Sequence, residues 1–150
     1  IDEAMFASAV KVLRVPHTES RGANWARVQA LSLMDGQDYV LLIDSHMRFE
    51  DGWDVALLEM LARCPAEKPV ISAYLPNYEP PNQRFHHAGE ILRVRVKKLG
   101  DMQEAQAVHV SGLLVTTTDA ERGGLYPTPF PVANFIFAHA SLFNEVPLDP

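Results

Sequence analysis

A continuous apolar pentad, Tyr39-Val40-Leu41-Leu42-Ile43, set between two segments of helical period, most constrains what this chain can fold into. Before it, over residues 23–34, Trp25, Val28, Leu31, Leu33 and Met34 recur at helical spacing, and Asp35-Gly36-Gln37-Asp38 supplies the turn. After it, Asp51-Gly52 turns the chain, and Trp53, Leu57, Leu58 and Leu61 mark a second helix over residues 53–63, ended by Pro65. A β-branched run at residues 10–15 ends at Pro16, and a further apolar run occupies residues 70–74, so strands are predicted at both. A pentad that is apolar without alternation predicts a strand covered on both faces, as in a parallel sheet. Strand, helix, strand, helix, strand with short connections predicts right-handed crossovers and an α/β fold with a mostly parallel sheet flanked by helices.

The remainder is less regular. Residues 75–84, rich in Pro and Asn, read as an extended surface loop. Residues 90–98 alternate apolar Ile91, Leu92, Val94 and Val96 with Arg93, Arg95 and Lys97, like a strand wet on one side, and residues 107–117 offer a hairpin partner. Residues 119–131 read as a loop and residues 132–143 return to apolar character. A length of 150 residues predicts a single domain, and 47% hydrophobic composition excludes a disordered chain. No apolar run approaches the roughly 18 to 20 residues of a membrane span. A net charge of -6 removes the counterion-release drive for nucleic acid, so no nucleic-acid partner is expected. The lone Cys64 follows an apolar helical pattern and reads as a buried thiol. Nothing resembling a secretory leader opens the chain, so a cytoplasmic address is the expectation. The chain starts at Ile1 and stops at Pro150 directly after an apolar run, and is expected to be a fragment of a longer domain.

In an open α/β sheet ligands gather outside the carboxyl ends of the strands. The residues that follow Ile43 are Asp44-Ser45-His46-Met47-Arg48-Phe49. Asp44 and His46, two residues apart, can reach one cation if the chain kinks at Ser45, and a carboxylate with an imidazole suits manganese better than calcium. The plainer alternative is an Asp44 that caps the next turn and a half-buried polar His46.

The hexad, with Arg21-Gly22-Ala23-Asn24-Trp25-Ala26-Arg27 before the strand and Gly52-Trp53-Asp54 after it, resembles nucleotide-sugar glycosyltransferases of the GT-A type. It is most similar to the cytoplasmic GlcNAc-transferases that modify hydroxyproline on a protein acceptor, and more distantly to polypeptide GalNAc-transferases. The likeness is dense from Arg21 to Tyr74 and resumes from Phe135 to Pro150, where Glu145-Val146-Pro147-Leu148-Asp149-Pro150 is similar to a family element.

The resemblance implies a Rossmann-like GT-A domain over residues 1–150, truncated at both ends, and transfer of a sugar, GlcNAc first among them, from a UDP-sugar to a hydroxyl of a protein or glycan. It implies that Asp44 and His46 hold Mn2+ (or Mg2+) against the diphosphate, where the metal neutralises charge growing on the leaving group. Arg27, Ser45 and Arg48 are then donor-binding candidates; for the two arginines the plainer readings are a surface ion pair and a solvated side chain. Trp53 opens an amphipathic helix and reads as a core anchor rather than a sugar platform, and Asp54 as a first-turn acid that complements the helix dipole. The family's paired glutamates and a later histidine are expected beyond Pro150, so no catalytic residue is assigned. Uracil contacts are expected before Ile1, with only residues 5–9 available here. His139 is a substitute candidate for the missing metal ligand. His17 reads as a loop residue, His109 as a satisfied sheet residue, and His86-His87 as a pair pointing to opposite faces. The rival class is a non-catalytic nucleotide-sugar or metal-binding domain; a metal-dependent hydrolase ranks last, for want of a second acidic and histidine cluster.

Overall fold

The computed structural model describes residues 9–75, 78–79, 83–84, 90–98, 109–116, 124–128 and 130–149. In chain order the elements are a 3-10 turn at His17–Glu19, α1 (Ala23–Leu31), β1 (Tyr39–Ile43), α2 (Trp53–Arg63), β2 (Val70–Ser72), β3 (Tyr78–Glu79), β4 (Gln83–Arg84), β5 (Glu90–Lys98), β6 (His109–Thr116), β7 (Phe135–His139) and α3 (Ser141–Glu145). Two compact units are distinguished: residues 1–40 with 139–150, and residues 41–138.

In the first unit, α1 ends three residues before the predicted boundary. Leu33 N–H donates to Ala30 O and Met34 N–H to Leu31 O, the tighter i to i−3 pattern that closes a helix end. Residues 10–16 carry no regular structure and expose Val10, Val12, Leu13 and Val15, against the strand predicted there. A β-branched run favours extended backbone but becomes a strand only with a partner, and none pairs with it among the described residues. The segment is tied to the end of α1 through Lys11 Nζ, 3.1 Å from Leu33 O and 3.4 Å from Asp35 Oδ2. The Tyr39 and His139 rings lie 4.6 Å apart, and Ala140 N–H donates to Asp38 O at 2.9 Å.

The second unit carries the core. α2 matches its predicted bounds. Gly52 takes the left-handed φ of 74° that swings the chain into the helix, and Asp54 and Arg63 complement the dipole at its two ends. At the C-cap, Cys64 is extended, as a residue before proline must be, and its thiol is half-buried rather than buried.

The sheet order is β1-β7-β2. β7 is antiparallel to β2, with Val70 opposite Ala138 and Ser72 opposite Ile136. Asp44 N–H on Asn134 O at one end of β1 and Ala140 N–H on Asp38 O at the other make β1 antiparallel to β7 as well. β1 and β2, joined through α2, therefore run the same way, with a strand from late in the chain inserted between them. Neighbouring strands in this described sheet are antiparallel.

Leu57 and Leu61 of α2 pack with Ile71, Phe135 and Phe137, and Leu41, Met60 and Leu125 close the cluster. Within this sheet β7 is the most deeply buried strand: Phe135, Ile136, Phe137 and Ala138 are buried and only the terminal His139 is exposed. β1, for which that burial is predicted, is half-buried with Tyr39 and Ile43 exposed, because it flanks the described sheet while β7 is central.

The hairpin predicted in the second half is present: β5 and β6 pair antiparallel from Glu90↔Thr116 to Lys98↔His109, with an irregularity between Val96 and Lys98. A shorter pair, β3 with β4, interrupts the predicted loop at residues 75–84. Among the described residues no helix is long and apolar enough to cross a membrane.

Candidate functional site

The same direction of β1 and β2 brings their carboxyl ends to one edge of the second unit, where β7 begins. Three segments meet there: the turn after Ile43, the chain leaving Ser72, and residues 132–134. Asp44 is half-buried, and its N–H donates to Asn134 O at 3.3 Å. Ser45 and His46 form an exposed turn. Arg48 is exposed, with Nη1 donating to Met47 O at 3.0 Å.

Residues 132–134 are fastened from the β2 side. Ser72 Oγ accepts the Val132 N–H at 2.7 Å and donates to Phe135 O at 2.8 Å, while Phe135 N–H closes the turn onto Val132 O at 3.2 Å. One hydroxyl thus ties the start of β7 to the end of β2, and the carbonyl of the intervening Asn134 receives Asp44. The Asn134 side chain adds a buried Oδ1 with no hydrogen-bond partner among the described residues. A buried amide oxygen left without a protein partner costs about 1–3 kcal/mol.

Asp44, Ser45, His46 and Arg48 thus follow one another on the segment that leaves β1, with Ser45 and His46 at its turn. Arg27 belongs to the other unit, where it is half-buried on α1 with Nη1 3.2 Å from Asn24 Oδ1. Among the described residues no group of three or more His, Cys, Asp or Glu side chains is placed to hold a metal. Asp44 and His46 stand two residues apart on the segment that follows β1. His139 is exposed in the first unit against Tyr39, and His17 is exposed in its 3-10 turn. His109 lies in β6, as the sequence predicts, while His86-His87 and residues 5–8 lie outside the described residues.

Ser72 and Asn134 are the residues that sequence reasoning misses. Each is a lone polar residue beside apolar neighbours, and only the pairing of β2 with β7 shows what it touches. Trp53 departs from its predicted place in the core: it is 39% exposed, and its ring lies 4.5 Å from that of Phe49, which is 42% exposed. A cavity of about 510 Å³ in the first unit is lined by neutral residues such as Leu31, Met34, Gln37 and Asn144 and holds no acid, base or cation for chemistry.

A family model described as GlcNAc, Glycosyltransferase (GlcNAc), matches residues 1–150. No curated protein matches the chain, and no solved structure does.

Proposed function

The chain belongs to the GlcNAc glycosyltransferase family, and on that premise we propose that it moves GlcNAc from UDP-GlcNAc to a hydroxyl of a protein or glycan, using a divalent cation held by Asp44 and His46. Membership by itself makes the chain a glycosyltransferase, acting between a nucleotide-sugar donor and an acceptor. The observation that carries the finer reading is the turn at the carboxyl end of β1, where a half-buried Asp44 and an exposed His46 stand two residues apart.

Two protein donors suit a manganese or magnesium ion held jointly with the oxygens of a diphosphate, and do not suit an ion caged by protein alone. When bound, that ion supplies charge neutralisation at the departing diphosphate. Around it the chain's own residues orient the donor. The Arg48 guanidinium offers a planar fork of N–H donors to phosphate oxygens. The Ser45 hydroxyl, exposed on the same turn, offers one more donor, and the Asn134 carbonyl holds the Asp44 backbone so that its carboxylate is presented from a fixed position. Arg27 is assigned to the donor on the resemblance alone.

The GT-A architecture and the cytoplasmic, hydroxyproline-directed branch are parts of the same proposal. The crossover from β1 through α2 to β2 supports the first, and the hexad from Asp44 to Phe49 together with the segment from Glu145 to Pro150 supports the second.

The test is calorimetric. UDP is expected to bind more tightly with manganese than without it, and Asp44→Ala to abolish the difference while the protein stays folded by circular dichroism. Binding indifferent to manganese, or no binding by the folded chain, refutes the metal reading. Metal-dependent binding without release of UDP from UDP-GlcNAc favours a binding domain over a transferase.

A further inference from the structure

The buried stripe of α2 runs through Leu61 and Leu57, and one helical turn toward the N-terminus the same stripe reaches Trp53. A helix that connects two strands of the same direction starts at their carboxyl edge, so Trp53 stands at the edge that carries Asp44, Ser45 and His46. There the stripe leaves the core. Trp53 and Phe49 rest against each other at 4.5 Å, tilted by 45°, and each keeps about two fifths of its surface free. Neither is part of the apolar cluster below them. Gly52, at φ 74°, turns the chain between the two rings, and the exposed Arg48 adjoins them in sequence.

We propose that Phe49 and Trp53 form a platform for the saturated ring of a hexosamine, stacked on its C–H face beside the Asp44 turn. This deepens the function proposed above and rests on it for the choice of sugar. The physical basis is the aromatic quadrupole. The negative faces of the two rings attract the weakly positive C–H bonds of a pyranose, while the ring's hydroxyls stay turned to water or to polar neighbours. Ligand sites combine such apolar surface with a few polar groups that fix orientation, and here the flanking Asp44, Ser45, His46 and Arg48 are those groups. A hexosamine ring reaches this surface either as the sugar of the donor or as the terminal residue of a glycan acceptor, and the chemistry of stacking is the same.

Trp53 reports on its own occupancy. With two tryptophans in the chain, Trp25→Phe leaves Trp53 as the sole tryptophan, and the full 150-residue chain, excited at the red edge where tyrosine does not absorb, can be titrated with methyl β-N-acetylglucosaminide, UDP and UDP-GlcNAc in turn. A saturable change in Trp53 emission with the glycoside alone supports the platform and identifies an acceptor ring. A change with UDP-GlcNAc that neither UDP nor the glycoside produces supports it and identifies the donor sugar. Phe49→Ala is then expected to weaken the responding ligand about fivefold or more, with Phe49→Leu as the companion variant that keeps apolar bulk should the first fail to fold. Equal responses to UDP and UDP-GlcNAc place a nucleobase on the rings and overturn the proposal, as does silence to all three ligands. Calorimetry of UDP with and without manganese is independent of Trp53. Loss of that metal dependence with a retained glycoside response refutes the metal reading and leaves the platform standing.

Discussion

Ser72→Ala tests the fastening that places Asp44. The Ser72 hydroxyl accepts from Val132 N–H at 2.7 Å and donates to Phe135 O at 2.8 Å, both in a half-buried setting at the junction of β2 and β7. Each bond contributes about 1 kcal/mol net, and an N–H left without its partner adds its own desolvation penalty, so the variant is expected to lose about 2 kcal/mol. For a chain of this length that corresponds to a fall in Tm of about 4–8 °C. Urea denaturation followed by tryptophan fluorescence measures the loss, and Ser72→Thr, which keeps a hydroxyl on the same carbon, is expected to recover most of it. Because Asn134 O accepts the Asp44 N–H, the Asp44 amide should also exchange faster with solvent in Ser72→Ala than the global loss alone accounts for. A destabilisation below about 0.5 kcal/mol, the range of an ordinary surface substitution, with unchanged Asp44 exchange, would refute the idea that this hydroxyl holds the edge together.

Further expectations follow from α2. Leu61, 4% exposed in the core cluster, should lose about 2–5 kcal/mol as Leu61→Ala. Leu58→Ala, three residues away and 40% exposed, should stay within about 1 kcal/mol, and equal losses in parallel denaturation curves would contradict the packing described. Gly52→Ala meets no atom within 4 Å of its new Cβ, so its cost is that of the left-handed backbone at φ 74°, about 1–2 kcal/mol; a neutral thermal melt would show that the turn readjusts freely.

How much of the fold is legible in the sequence depends on whether the signal is local. α2 is read to the residue because Trp53, Leu57 and Leu61 repeat at helical spacing between a glycine and a proline, and the β5–β6 hairpin because its alternation has a partner nearby. The run at residues 10–15 has the same local appearance as a strand and is not one, since pairing is not a local property. The candidate site divides in the same way. Asp44, Ser45, His46 and Arg48 are legible because they follow an apolar strand in one uninterrupted motif. Ser72 and Asn134 are not, since each acts on chain some sixty to ninety residues distant.

By itself the sequence determines where backbone and side chains suit a helix or an extended strand, and which chemical groups cluster at the end of β1. Those are properties of hydrophobic period, turn residues and motif order, all expressed within a few residues. Tertiary structure alone decides that β7 enters between β1 and β2 and takes the central, doubly buried place that the apolarity of β1 suggests for itself. It decides also that Trp53, on a buried stripe by its spacing, ends in the open beside Phe49. The physical reason is common to both: burial belongs to whatever happens to lie opposite a surface, and the chain segment that lies opposite is chosen by long-range pairing, which no window of sequence contains.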